Sequence, residues 1–300
     1  MNQEKNFPVP VIGSPYRRIF LPGAATYFGR PHPDLNYGET YSEWVPNDHC
    51  FIFDRKGFCH IFGITHPLTS CQHIHDGEEQ LFHAMAPREV LLSEGEFTDC
   101  GNLLPPEERP GEPPEIHSPF ILEKDGEFQM VYGPKSFRSA ASKDLQSWEL
   151  RGEWFHDPHG ASRDPQICRV GDEWFLTYCS GSEVRCRVSR DCAVWSDFRV
   201  LRRLPDDLNP ESPFLFVRDG VFYLAVCLWD GKWDRIHISD AYQHRTLLYA
   251  AESPDELNTA PQLCELPAHA PEFVQCDGRW FVSSAEYPER GINLAELDWR

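Results

Sequence analysis

The chain has 300 residues, of which 47 are acidic and 28 are lysine or arginine, so its formal net charge is -19 at neutral pH. A charge of this sign and size repels polyanions, which argues against nucleic acid and anionic membranes as partners. The start MNQEKNF lacks an apolar core and no segment is apolar for the length of a membrane span, so we expect neither a signal peptide nor a span. The 11 cysteines are odd in number and scattered singly, which indicates reduced core thiols and a cytoplasmic location.

Five stretches along the chain share one frame. A polar residue is followed by a proline, an apolar run, a turn that ends in glycine, and a second apolar run. In chain order the stretches are NDHCFIFDRKGFCHIF, IHSPFILEKDGEFQMVY, RDPQICRVGDEWFLTY, ESPFLFVRDGVFYLAV and HAPEFVQCDGRWFVSS. The first lacks the proline, and the third has it one place early. Alternation around Asp-Gly or Lys-Gly is typical of hairpins, and we predict first strands near 50–54, 119–123, 165–169, 213–217 and 271–275.

The frame recurs at a nearly constant spacing. The stretches SKDLQSW and SRDCAVW begin at Ser142 and Ser189, which are 47 residues apart. Strand-rich repeats of this period are typical of propeller blades, and five units of about 60 residues fill the chain. We therefore predict an all-β, five-bladed β-propeller that forms one domain over residues 1–300. The last blade would lack a strand, so we expect the N-terminal segment 1–40 to close it with a strand within 16–21 or 24–28.

One polar residue stands at the start of each predicted first strand, a position that we call the slot. The slot residues are Asp48, His117, Asp164, Glu211 and His269. Because the first strand of a propeller blade borders the central channel, we expect these side chains to converge on one axial site. Clustered carboxylates raise one another's pKa, which costs stability unless a site uses it. Polar caps of strand ends are the alternative interpretation.

Three carboxylates around a pocket suit the cleavage of glycosidic bonds. One carboxylic acid protonates the leaving oxygen, while a carboxylate acts as nucleophile or as base for water. A third can hold sugar hydroxyls and adjust the pKa of the acid. The candidate catalytic residues are Asp48, Asp164 and Glu211.

The same residues resemble the five-bladed propeller glycoside hydrolases of families 32, 43, 62 and 68. The stretch EWVPNDHCFIFDRKGFCHIF resembles the family 32 opening, in which Trp, Asn and the nucleophile Asp precede a strand. SRDPQI resembles the Arg-Asp-Pro element, ESPF stands where the general acid Glu occurs, and SKDLQSWEL is similar to a common outer strand. The resemblance covers residues 40–300. It implies that Asp48 is nucleophile or base, that Asp164 stabilises the transition state, and that Glu211 is the general acid.

The sequence also departs from these families. His49 and Cys50 replace the Pro and Asn usual in family 32, and Ser212 replaces a Cys, which brings this stretch closer to family 43. The resemblance to family 32 slightly favours retention of anomeric configuration. His269 stands where some family 43 members use a channel histidine near a cation. We therefore expect no required cofactor, with calcium in the channel as an option.

Further residues are candidates for sugar binding, and they lie beside the slots or on rim loops. The set is Trp44, Asn47, His117, Arg163, Trp229 and His269. In the loop QHIHDGEEQLFHA, His75, Asp76 or Gln80 could touch sugar, and the pair His73 and His75 could bind zinc, although a solvated loop is the more frequent outcome.

We expect a small carbohydrate partner, and the sequence indicates no oligomeric state. Two alternatives to a hydrolase stay open. A phosphorylase or transglycosylase would need a cationic phosphate site or a shielded acceptor site, but the pairs Arg17-Arg18 and Arg202-Arg203 lie outside the slots. A sugar-binding propeller without catalysis would more naturally repeat one aromatic and amide set in every blade.

Overall fold

The computed structural model describes residues 6–69, 77–205, 208–229 and 244–300. Within these ranges the chain forms 23 β-strands and three short 3-10 turns, with no α-helix. None of the described residues forms a helix that is long and apolar enough to cross a membrane. The ten cysteines in the described ranges are all free thiols. The predicted all-β class is confirmed.

Four antiparallel strands, taken in chain order, form each of the first four blades. Blade one contains Trp44–Phe53, Phe58–Pro67, Gln80–Pro87 and Thr98–Leu103. Blade two contains His117–Lys124, Glu127–Gly133, Phe137–Ser142 and Glu149–Phe155. Blade three contains Arg163–Val170, Glu173–Ser180, Glu183–Ser189 and Arg199–Arg203. Blade four contains Asn209–Arg218, Val221–Trp229, Thr246–Ala251 and Gln262–Leu266. The first strands of these blades pack against one another and form the inner ring.

Blade five combines both ends of the chain. Its strands Phe273–Cys276, Arg279–Ala285 and Ile292–Trp299 come from the C-terminal part. Two N-terminal strands, Pro10–Ile12 and Arg17–Phe20, both pair antiparallel with Ile292–Trp299. The backbone groups of the last strand thus find partners instead of an open edge, and the five-bladed ring is complete.

The rest of the N-terminal segment forms a small hairpin outside the blades. Ala25–Thr26, which lies in the second range proposed for a closing strand, pairs instead with Thr40–Tyr41. Tyr27, Leu35 and Trp44 are fully buried together beneath it. This hairpin covers the start of the inner strand of blade one.

The core lies between the blades, because each middle strand is covered on both faces. In blade four the consecutive residues Tyr223, Leu224, Ala225 and Val226 are all 0% exposed. Phe216 of blade four stacks on Phe273 of blade five, with ring centroids 4.9 Å apart. Continuous apolar runs in the sequence therefore follow from sheets that pack face to face around the ring.

A β-bulge interrupts the inner strand at the slot. In blades two, three and four it lies between His117 and Phe120, Arg163 and Gln166, and Glu211 and Phe214. One residue of each bulge, directly before a proline, has a positive φ: Ser118 46°, Asp164 56° and Ser212 41°, and Ala270 of blade five has 44°. Such backbone is costly for residues other than glycine, and bulges change the direction in which side chains point.

The bulges correct the predicted equivalence of the slot residues. The strand pairings place Arg163 level with His117 and Glu211, while Asp164 is level with Ser118 and Ser212. In blade one the level position is Pro46, and Asp48 comes two residues later. The five slot residues therefore do not occupy one repeated position. His117 and Glu211 take the first position of the bulge in their blades, Asp164 takes the second and Asp48 the third.

Candidate active site

Two serines join the carboxylates of Asp48 and Asp164 at the centre of the ring. The Ser118 hydroxyl lies 2.8 Å from Oδ2 of Asp48 and 2.8 Å from Oδ1 of Asp164. The Ser212 hydroxyl donates to Oδ1 of Asp48 at 3.1 Å, and its backbone N–H donates to Oδ2 of Asp164 at 3.3 Å. Carboxylates from blades one and three are thus held by bulge residues of blades two and four.

The contacts of Ser118 require a proton on one of the two acids. A hydroxyl carries a single hydrogen, so it can donate to only one of two carboxylates. If both acids were ionised, one of the two 2.8 Å contacts would join the Ser118 oxygen to a carboxylate oxygen with no hydrogen between them. Burial, followed by the charge of Asp164, raises the pKa of Asp48 to about 7. Asp48 can therefore hold this proton below neutrality and release it above.

Glu211 stands beside this pair on the inner strand of blade four. Burial raises its pKa well above the usual range, and the charges of Asp48 and Asp164 add to the effect, whereas Arg163 opposes it. Nε of Arg163 lies 3.6 Å from Oδ2 of Asp164, and the same guanidinium donates to the carbonyl of Pro210. Arg163 thus links Asp164 to the strand that presents Glu211. A protonated acid next to an ionised one is the arrangement that general acid catalysis needs.

Glu78 is a site residue that the sequence analysis missed. It is 1% exposed, and its Oε2 lies 3.3 Å from Nε2 of His117. Its charge also contributes, in smaller measure, to the raised pKa of Asp48 and of Glu211. The loop around it was noted for sugar contacts, but a Glu-Glu pair in a polar loop gives no signal that one member turns inward.

The carboxylates of Asp48 and Asp164 line a small cavity. Its volume is about 20 Å³, close to that of one water probe, and its lining includes Asp48, Ser118, Asp164, Ser212 and Glu272. Burial and the charge of Asp48 raise the pKa of Glu272 well above the usual range. His49 is buried beside it, with Nε2 2.7 Å from Oγ of Ser283, and burial lowers its pKa to about 3. A neutral His49 and a protonated Glu272 limit the charge in this narrow space.

Some of the expected sugar-binding residues do not fit that role. Trp44 is 0% exposed, and its indole N–H donates to the carbonyl of Tyr41, so it is a core residue and cannot stack on a sugar. The side chain of Gln80 is also buried, since it accepts from the N–H of Phe28 and donates to the carbonyl of Thr26. Both side chains are used to fix the N-terminal hairpin on blade one.

Other expected binding residues remain predictions. Asn47 lies in the bulge of blade one, 5% exposed, and its Oδ1 accepts no hydrogen bond from any residue that the structure describes. His117 and Arg163 lie next to the carboxylates, as given above. Trp229 ends the second strand of blade four and is 8% exposed. His73, His75 and Asp76 lie outside the described residues.

His269 lies in the core of the ring at the start of blade five. It is 0% exposed, and its Nδ1 lies 3.6 Å from Sγ of Cys227. One ligand atom each from Glu211, Cys227 and His269 lie within 4.8 Å of one another. Calcium prefers six to eight oxygen ligands, so a set of one oxygen, one sulfur and one nitrogen does not fit the calcium ion that was considered as an option for the channel.

Comparisons with known proteins identify the fold. No family model and no curated protein matches the sequence. Among solved structures, RS223 β-xylosidase is similar with a TM-score of 0.63 and 14% identity, covering 85% of this chain and 92% of that one. An exo-1,5-α-L-arabinanase from a bovine ruminal metagenomic library has a TM-score of 0.59 and 14% identity, covering 84% and 92%. The GH43_1 enzyme from Xanthomonas citri in complex with xylotriose has a TM-score of 0.62 and 13% identity, covering 85% and 87%.

These similarities define the class of fold. The protein is a five-bladed β-propeller, which confirms the predicted propeller, and the solved structures with a similar fold include a thermostable family-43 glycoside hydrolase. At 11–14% identity the match concerns the fold, so the activity has to be argued from the residues of the site.

Proposed function

We propose that this protein is a glycoside hydrolase that cleaves a small glycoside or a short oligosaccharide. One observation carries the proposal: Ser118 and Ser212 bridge the carboxyl groups of Asp48 and Asp164, and Glu211 is close enough for both charges to raise its pKa. Burial and the neighbouring charges raise the pKa of Asp48 and of Glu211, so the site can hold a protonated carboxylic acid for glycosidic cleavage. A structural role alone would not favour three clustered carboxyl groups, since each one costs folding stability.

Glu211 is the proposed general acid. Its raised pKa keeps a proton on the carboxyl near neutrality, and that proton passes to the glycosidic oxygen as the bond to the anomeric carbon breaks. Asp164 remains next to Arg163, accepts from the Ser212 N–H, and stabilises positive charge that develops on the sugar. Glu211 then takes up a proton again from water before the next cycle.

Asp48 is the proposed nucleophile or base. As a base it would take a proton from the water that attacks the anomeric carbon, and the configuration would invert. As a nucleophile it would form a glycosyl-enzyme ester that water then hydrolyses, and the configuration would be retained. The resemblance to family 32 favours retention, and proton NMR of the first-formed anomer decides between the two routes.

The proposed substrate class is taken from the similar solved enzymes and can be tested directly. The similar solved enzymes are described as β-xylosidases and arabinanases, and two of them hold xylotriose. Aryl glycosides of xylose and arabinofuranose should therefore be assayed first, followed by those of fructose and galactose. A cytoplasmic location remains a proposal that rests on the free cysteines, and it favours short oligosaccharides over polymers.

The decisive experiment compares two leaving groups in Glu211→Gln. Acid catalysis contributes about 10² to 10⁴ in rate when the leaving group needs a proton. The variant should lose about this much on alkyl glycosides, while a dinitrophenyl glycoside should be hydrolysed nearly as fast as by the wild type. Equal losses on both substrates would remove Glu211 from the role of acid.

A phosphorylase is the second candidate, and the positions of the arginine pairs weigh against it. Arg17, on an N-terminal strand of blade five, donates to the carbonyls of Val90 and Gly95 in the connection between the third and fourth strands of blade one. Arg202 lies over the ring of Tyr249 in the outer part of blades three and four, 3.9 Å from its centroid. Measuring released sugar with and without phosphate separates the two reactions, and binding without release would indicate a sugar-binding propeller.

A further inference from the structure

The donor atoms around His269 suit a metal ion other than calcium. Glu211, Cys227 and His269 come from the inner strand of blade four, its second strand and the start of blade five. Glu211 and Cys227 are directly opposite each other in the pairing of the two strands. The register of blade four and the docking of blade five therefore bring an oxygen, a sulfur and a nitrogen within 4.8 Å of one another.

We infer that Glu211, Cys227 and His269 bind a thiophilic divalent metal such as zinc, and that the bound metal inhibits the enzyme by occupying Glu211. The inhibition rests on the proposed function, whereas the binding does not. Thiolate and imidazole are preferred ligands of zinc, and zinc sites with three protein ligands and a water in the fourth position are common.

The distances support a tetrahedral ion. Zinc bonds of about 2.3 Å to sulfur and about 2.0 to 2.1 Å to nitrogen, at a tetrahedral angle, place these two ligands about 3.6 Å apart. Sγ of Cys227 and Nδ1 of His269 are separated by 3.6 Å. The same distance suits an S–H···N hydrogen bond, which the metal would replace. The Glu211 oxygen, within 4.8 Å of both, reaches the ideal separation by a shift of about 1 Å.

The charge balance of the buried site permits the exchange. Binding displaces the thiol proton of Cys227 and the carboxylic acid proton of Glu211 to solvent. A divalent cation thus replaces two protons, and the net charge of the cluster does not change. The proton that Glu211 would give to a leaving group is then absent, so the metal-bound form cannot act as a general acid.

Cobalt provides a direct test of the binding, independent of catalysis. Titration of the full chain with Co²⁺ should produce a thiolate-to-cobalt charge-transfer band in the near ultraviolet, and Zn²⁺ should abolish it. Cys227→Ser should weaken cobalt binding by at least about 100-fold. Loss of a residue that only supports a metal ligand costs up to about 100-fold in affinity, and loss of the ligand itself should cost at least as much. The matched control Cys100→Ser, at an exposed free cysteine, should keep the band. Excess Ca²⁺ should leave the band unchanged.

A second arm measures inhibition. Zn²⁺ should inhibit the wild type and chelator should restore its rate, whereas Cys227→Ser, compared with its own rate in chelator, should need about 100-fold more Zn²⁺ for the same inhibition. If Cys227→Ser does not fold, Glu211→Gln tests a second ligand instead. The cobalt band should be weaker in folded Glu211→Gln than in the wild type.

The outcomes are separable. The metal site is overturned if the charge-transfer band persists in Cys227→Ser. It is also overturned if the wild type shows no such band at millimolar Co²⁺. A Cys227-dependent band in a protein without glycosidase activity supports the metal site and refutes only the proposed function.

Discussion

Replacing Asp48 by asparagine should stabilise the folded protein at alkaline pH while it removes the proposed nucleophile or base. The pKa of Asp48 is raised from 3.8 to about 7 in the folded state, chiefly by burial. An acid whose pKa is raised on folding binds its proton more tightly in the native state. Its stability contribution is fully present below about pH 4 and is lost as the pH rises through about 7.

The magnitude follows from the size of the shift. A rise of about 3 pKa units at 1.36 kcal/mol per unit corresponds to about 4 kcal/mol of lost stability above pH 7. This is an upper value, because the asparagine amide must find a new acceptor. Asp48→Asn should therefore exceed the wild type by about 2 to 4 kcal/mol at pH 8.5 and by no more than about 1 kcal/mol at pH 4.5.

Urea unfolding at several pH values measures this difference. The matched control is Asp172→Asn, at an exposed turn residue, which should follow the wild type at every pH. A gain for Asp48→Asn that does not change with pH would refute the electrostatic reasoning, because only the ionisation of Asp48 makes the gain depend on pH. A loss of stability at pH 8.5 would mean that the hydrogen bonds from Ser118 and Ser212 outweigh the cost of the buried charge.

The remaining predictions concern the pH profile and the core. The kcat/KM of the wild type should rise with pH through about 7, as Asp48 loses its proton; a profile already flat at pH 5 would contradict this. Ser118→Ala removes a hydrogen bond that lowers the pKa of Asp48, so this rising limb should move to higher pH. Glu78→Gln removes a negative charge that raises the pKa of Asp48, so the rising limb should move to lower pH. If the limb moved in the same direction in both variants, Ser118 and Glu78 would not have these opposite effects on Asp48. Phe216→Ala should lower the free energy of unfolding by about 3 to 5 kcal/mol in urea melts, because the ring is buried between blades four and five.

The sequence by itself determined the ring. Alternating apolar runs around glycine turns predict hairpins, and their repetition at 47 residues predicts blades, because both signals depend on local backbone preference and on period. The range 16–21, where a closing strand was expected, contains Arg17–Phe20, which pairs with the last strand. Asp48, Asp164 and Glu211 were also selected from the sequence, since carboxyl groups at the start of buried strands are unusual.

Only the tertiary structure decided the registers at the site. The bulges put Asp164 level with Ser118 and Ser212, and this makes the serines bridges between acids, whereas the sequence frame grouped Asp164 with His117 and Glu211. Trp44 was a candidate for sugar binding but is buried under the N-terminal hairpin. Glu78 reaches His117 from a different blade, and Cys227 meets His269 across two blades. Such contacts depend on how blades dock and how inner strands bulge, and neither property leaves a periodic trace in a single sequence.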